Sequence, residues 1–365
     1  MYNINESFSF HMELTDKCNA RCVQCERNFI DKDGELKERP ELLLTEISID
    51  QYKKIFKNYQ KQTYHLTFCG NTGDPLFVKD ILEITEYSIT NVMSEGYSKL
   101  QIYTNGGYRS KEWWSNYGKL LKNVNHMIIF AIDGLEDTHH LYRVNTRYDR
   151  VIENARAFID AGGVAEWSFI RFGHNQHQED EAKKRAKQLG FKSFTASNSE
   201  RFHREKKIDY KWKGDLYSIS RYNPTVLKTL NADEKKAIQT NKQLQTNSEN
   251  YWKDVEKSRL ESSMQINCYT EKKNELYIDS RGYVYPCCWV GHYEYMKLVG
   301  IDDAWNPQID GRTFTSSWDK DFREILKEDW FEHQLPESWE TDPCHICARH
   351  CGKNIMKTIR HTSQI

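Results

Sequence analysis

Ten cysteines lie in a chain of 365 residues, and their spacing is the first feature with chemical content. Cys18, Cys22 and Cys25 follow one another as C-x3-C-x2-C, Cys344, Cys347 and Cys351 crowd the other end, and Cys69, Cys268, Cys287 and Cys288 lie between. The opening residues, MYNINESFSF, have neither the basic start nor the apolar core of a secretory signal, which places the chain in the reducing cytoplasm. Disulfides are disfavoured there, so metal or cluster ligation is the reading for so many thiols. Three thiolates in one loop wrap a small inorganic centre without closing it. A structural zinc needs a fourth partner, with His11 the only local imidazole, whereas a four-iron cluster held by three thiolates keeps one iron open to a ligand.

Such a loop needs a rigid frame. From Phe8 to about Thr195 short apolar runs alternate with longer helical patterns, the signature of a parallel βα architecture. Six strands are expected: Phe8 to Glu13, His65 to Cys69, Leu100 to Thr104, Met127 to Ile132, Ala165 to Ile170 and Lys192 to Thr195. Helices between them start after Ser48 and Asp80, run through YDRVIENARAFIDAGG, and end at Gly190. Right-handed crossovers curl these units into an α/β fold, a partial (β/α)6 barrel whose working groups collect on loops after the strand C-termini. Residues 1–197 form this barrel, 198–267 read as a polar, helical bridging segment, and 268–365 form a second module containing a β-hairpin, ELYIDSRGYVYP, turned at Ser280, Arg281 and Gly282.

Bulk composition narrows the partners. Fifty-two basic against 53 acidic residues leave a net charge of −1, so neither a nucleic acid nor an anionic membrane is attracted at range. No apolar run approaches the roughly 18 residues of a membrane span.

CNARCVQC directly after a β strand, opening a βα repeat, resembles the radical S-adenosylmethionine (radical SAM) superfamily. The resemblance implies a [4Fe-4S] cluster on Cys18, Cys22 and Cys25 whose free iron binds S-adenosylmethionine. Reductive cleavage then gives a 5′-deoxyadenosyl radical that takes a hydrogen atom from the substrate. Gln24 departs from the family, where an aromatic residue is common. In CGNTGDPLF, Gly73, Asp74 and Pro75 resemble the Gly-Glu-Pro motif that meets the cofactor's ammonium group, with Asp for Glu. Thr104, Asn105 and Gly106 fall at the same rim. FAIDGLEDTHHLYRV resembles the S-x-D-G and H-x3-R pattern, with Ala131 in place of Ser; it implies that Asp133 and Arg143 serve the cofactor, Arg143 forking onto the methionyl carboxylate. Arg171 and Asn175, after the fifth strand, are further ribose or carboxylate partners.

The second group of cysteines resembles SPASM and Twitch domains. By that resemblance Cys268, Cys287, Cys344 and Cys347 hold one auxiliary [4Fe-4S] cluster, the Twitch arrangement; a zinc ribbon is the competing reading of the same residues. Adjacent residues of an extended strand point apart, so Cys288 is not expected to bind beside Cys287. Cys351 replaces a ligand, stays a structural thiol, or, like Cys288, returns a hydrogen atom. Cys69 reads as a core thiol, and His174, His177, His345 and His350 form no metal motif.

The function so implied is a radical SAM oxidoreductase or maturase acting on a peptide or protein side chain or backbone, with an electron donor such as flavodoxin or ferredoxin. A sugar or aminocyclitol dehydrogenase or epimerase is the alternative, and a structural zinc protein is the reading outside enzymes. The first strand opens at Phe8, which leaves no room before it for a leader-peptide-binding domain and weighs against a peptide.

Overall fold

The computed structural model describes residues 2–199, 201–202, 205–223, 266–300, 309, 312 and 314–352. In chain order its strands are β1 (Ser9–Met12), β2 (Asn28–Ile30), β3 (Leu36–Glu38), β4 (His65–Phe68), β5 (Lys99–Thr104), β6 (His126–Ala131), β7 (Ala165–Arg171), β8 (Ser193–Asn198), β9 (Lys207–Trp212), β10 (Asp215–Ser220), β11 (Glu275–Ile278) and β12 (Val284–Tyr285). The six strands expected of the barrel are β1 and β4 to β8, all parallel to their neighbours. Their alternate residues explain why: Leu66, Phe68, Leu100, Ile102, Ile128, Phe130, Trp167 and Phe169 are buried in a single core.

The connecting helices start where side chains satisfy their first amides. Ser48 and Gln51 form a reciprocal capping box at Ile49–Ile55. Ser110 accepts from Trp113 N at the head of Lys111–Leu121. Helices Tyr148–Asp160 and Glu179–Gln188 complete the outer layer.

Two findings depart from the sequence reading. The bridging segment was expected to be helical. Its described part instead forms the antiparallel pair β9 and β10, joined by the turn at Lys213 and Gly214, with polar and apolar residues alternating along β9; residues 200, 203, 204 and 224–265 lie outside the described residues. This hairpin lies over the barrel rim. Tyr210 Oη donates to Leu141 O at 2.6 Å, Gly173 N to Ser220 O at 2.8 Å, and Lys211 N to Gly34 O at 2.7 Å.

The second finding concerns the C-terminal hairpin, which joins the barrel sheet rather than standing apart. β11 pairs in parallel with β1, from Ser9 beside Glu275 to Met12 beside Ile278, giving the order β12-β11-β1-β4-β5-β6-β7-β8. Phe322, from a later helix, packs edge-on against Phe8, Phe10 and Tyr59 with centroids 5.2–5.4 Å apart. The turn between β11 and β12 needs its glycine: Gly282 has φ +80°, and a Cβ there would meet the Trp318 ring at 2.6 Å.

Candidate functional site

Cys18, Cys22 and Cys25 sit on the loop after β1, at the C-terminal rim of the sheet. The loop is tied by Cys25 N to Cys22 O at 3.0 Å, Asn28 N to Cys25 O at 2.9 Å, and Arg21 N to Val144 O at 2.8 Å. Its apolar side packs with Tyr142, Phe172, Tyr210 and Ile219, so the β9–β10 hairpin walls it in. Burial, with Asp74 and Cys22 nearby, pushes the Cys18 thiol far up. Burial also raises Cys22, and the Arg143 guanidinium opposes that rise.

Arg143 is aimed by Asp133. Its Nε donates to Asp133 Oδ2 at 2.6 Å while Nη1 faces Cys22 Sγ at 3.5 Å. Asp133 is wholly buried and spends its other oxygen on Ile170 N at 2.6 Å. A guanidinium held this way has donors left for an anion beside the thiol loop.

Asp74, Thr104 and Asn105 come together as one unit. The Asp74 carboxylate accepts from Thr104 Oγ1 at 3.0 Å, Asn105 N at 2.8 Å, Asn105 Nδ2 at 2.7 Å and Leu76 N at 3.1 Å. Asn105 Nδ2 lies 3.6 Å from Cys18 Sγ, linking this unit to the thiol loop. Gly73 is required by contact: a Cβ would stand 2.1 Å from Thr15 O, where the turn presses on the stem of the cysteine loop.

Arg171 and Asn175 are placed differently. Arg171 forks onto Glu179, Nε to Oε2 at 2.5 Å and Nη2 to Oε1 at 2.6 Å, and Nη1 donates to Ala196 O. Asn175 is buried, with Oδ1 accepting from Phe172 N and Nδ2 donating to Asp133 O and Ile170 O. Both stabilise the loop after β7.

Sequence reasoning missed Glu13. This carboxylate, at the end of β1, is 1% exposed and accepts from Asn71 N, Thr72 N and Gly73 N at 3.0, 3.1 and 2.9 Å. The available signal was a lone acid closing the apolar run SFHMEL. It also missed the partners of Gln24: Ser199 Oγ donates to Gln24 Oε1 at 2.7 Å and Arg201 Nη1 to Gln24 O at 3.0 Å.

The later cysteines converge from separate elements. Cys268, Cys287 and Cys344 each stand at a helix N-terminus, before Tyr269–Lys272, Cys288–Leu298 and His345–Cys351. Cys344 Sγ accepts from Cys347 N at 3.2 Å, a geometry that favours a thiolate. Cys351 is drawn in as well: Asn267 N donates to its carbonyl at 2.8 Å, and its thiol donates to Cys268, which lowers Cys268 and raises Cys351. Tyr2 seals the set, its hydroxyl bonded to Pro286 O at 2.8 Å. The extended strand assumed at Cys288 is not found: Cys288 is the first residue of a helix. Its thiol is pushed up to about 12 by burial, with Glu275 and Glu13 adding to the rise. Cys69 is buried as expected, 3.1 Å from Glu13 Oε2.

Among the described residues, no three His, Cys, Asp or Glu side chains stand close enough to hold a single metal ion. Burial and a neighbouring thiol oppose the ionisation of Cys18 and Cys22, and an amide and an arginine are aimed at these two sulfurs. A cationic iron–sulfur centre completes such a donor set.

Residues 12–189 match the family model described as the radical SAM superfamily. The chain carries a radical SAM domain. The family implies the [4Fe-4S] cluster and S-adenosylmethionine as cofactors, and the residues of the first loop fit them. Solved structures of Streptococcus suis SuiB share the fold. The form bound to precursor peptide SuiA is 14% identical, with a TM-score of 0.52 over 94% of this chain and 72% of that one. The form bound to S-adenosylmethionine is 15% identical, with a TM-score of 0.50 over 89% and 67%. No curated protein matches the sequence. No helix among the described residues is long and apolar enough to cross a membrane.

Proposed function

We propose that this radical SAM domain works with an auxiliary [4Fe-4S] cluster on Cys268, Cys287, Cys344 and Cys347 to modify a peptide or protein, as a maturase. The observation that carries the reading is the gathering of these thiols, with Cys351, beside β11, the strand paired with the one that leads into the first cysteine loop. When bound, the first cluster and S-adenosylmethionine supply a 5′-deoxyadenosyl radical that abstracts a substrate hydrogen.

The chain's own residues prepare that step. Cys18, Cys22 and Cys25 would hold the cluster. Arg143, oriented by Asp133, would take the methionyl carboxylate, and the turn ending in Gly73 would receive the ammonium group through its backbone. Asp74 ties that turn to Thr104 and Asn105 rather than standing free. The β9–β10 hairpin helps exclude water from the loop.

A peptide is favoured over a small molecule because β10, among the described strands, pairs only with β9; Gly173 N takes Ser220 O at one end of its outer edge, and an added strand would lie along the remainder, toward Asp215. The peptide-bound form of SuiB is consistent with such an occupant. Anaerobically reconstituted protein should contain about eight irons with matching sulfide and form deoxyadenosine under reduction. Incubated with short peptides encoded beside its gene, it should change a peptide's mass by loss of a hydrogen pair, or by uptake of solvent deuterium. Turnover of sugars with no peptide modified would replace the maturase reading, and zinc without iron would remove the enzyme.

A further inference from the structure

The apolar strand β1 ends in a buried carboxylate whose partners come from two parts of the chain. On one side the three successive amides of Asn71, Thr72 and Gly73 converge on Glu13 at 2.9–3.1 Å. On the other, Tyr277 Oη of β11 approaches Glu13 Oε2 at 3.4 Å, beside the Cys69 thiol at 3.1 Å. Glu13 N is itself bonded to Ile278 O at 2.9 Å, so the residue is fixed by the same strand that carries Tyr277.

We infer that Glu13 is a positioning residue for S-adenosylmethionine, holding the 71–73 turn in its binding shape, and that Tyr277 ties this support to the C-terminal module. This rests on the cofactor assignment above. Consecutive amides pointing one way form a concavity that needs an acceptor, and a buried acceptor with two oxygens meets all three. The turn then has a single shape. It presses Gly73 against Thr15 O and hands Asp74 N to Lys17 O at 2.9 Å, so the cysteine loop and the Asp74–Thr104–Asn105 unit are aligned through it. Both Glu13 oxygens are engaged by these protein partners. Its effect passes through the backbone of the turn.

Glu13→Gln tests this with almost no change in volume. One carboxylate oxygen becomes an NH2, a donor turned toward donors, so part of the amide set loses its acceptor. In the reconstituted protein the expected result is S-adenosylmethionine binding weaker by about tenfold or more, with iron content unchanged. The cofactor-induced change in the reduced cluster's paramagnetic spectrum should need correspondingly more cofactor. Tyr277→Phe should weaken binding about two- to threefold, since it removes one long hydrogen bond. Glu13→Gln that loads iron and binds S-adenosylmethionine like wild type overturns the inference. If that variant fails to fold, amide hydrogen exchange in the wild-type protein decides: the amides of 71–73 should exchange as slowly as those of β4, and exchange at the rate of an open loop overturns it. Wild-type protein whose spectrum ignores S-adenosylmethionine would instead strike the cofactor assignment, a result distinct from either.

Discussion

The two thiol sites are built by opposite routes. The first takes three cysteines from one loop after one strand, and neighbours from other strands only aim at them: Arg143 from the segment after β6 and Asn105 from the end of β5. The second takes its cysteines from the N-terminal ends of three separate helices, in the module whose β11 pairs with β1. A loop-built site can exist once its strand is paired. One assembled from distant elements depends on the packing of the whole module, so the two should respond differently to damage.

Ligand removal should give the largest separation. Cys22→Ser is expected to lose about four irons and all deoxyadenosine formation while keeping the auxiliary iron, and Cys344→Ser the reverse iron pattern with deoxyadenosine still formed. Iron and sulfide analysis with product chromatography reads this, and loss of both iron sets from either variant would break the independence of the sites. Gly73→Ala comes next. Its Cβ would collide with Thr15 O at the stem of the first loop, a backbone contact that cannot rotate away. A loss of about 3 kcal/mol of stability is expected in denaturant titration, together with lost S-adenosylmethionine binding.

Arg143→Lys sharpens the comparison at the first site alone. Lysine keeps the charge but cannot bridge Asp133 and an anion with one planar fork, so affinity for S-adenosylmethionine should fall on the order of tenfold to a hundredfold. Calorimetry on iron-loaded protein measures it, and unchanged affinity would detach Arg143 from the cofactor.

The smallest effect falls on the shared barrel. Burial lowers His11 to about 4 and, with Arg143 and His140 nearby, lowers His139 to about 3. A free imidazole titrates near 6.5. The unfolded chain therefore binds these protons first as pH falls. The stability these groups contribute is full above about pH 6.5 and is lost progressively as pH drops toward their folded-state values. Unfolding temperature of metal-free protein should decline from pH 6.5 to 4, and His139→Asn should flatten the decline; an unaltered slope would acquit His139.

What could be read in advance follows the same division. The six barrel strands and the first cysteine loop are local patterns, set by alternation and by a spacing within eight residues, and they stand where the sequence puts them. The β9–β10 hairpin escaped because its second strand, DLYSIS, sets Leu216 beside Tyr217 and leaves Leu216 exposed, which breaks the alternation of a half-covered strand. The partnership of β11 with β1 joins positions far apart in sequence, and no local pattern encodes a partner. The lone acid Glu13 was in view, but its role was hidden for a related reason. Its meaning lies in three amides on another loop, while the polar atoms of Arg171 and Asn175, expected as ligand contacts, meet protein partners: Glu179 and Ala196 O for Arg171, and Phe172 N, Ile170 O and Asp133 O for Asn175.

The parallel pairing of β11 with β1 also sets an order of events. Until residues 275–278 leave the ribosome, the first strand has one flank open, exposing the backbone groups and apolar side chains of an edge. A product stopped after residue 223 would carry every barrel crossover and still have that seam unstitched. It should aggregate or recruit chaperones where the longer chain does not.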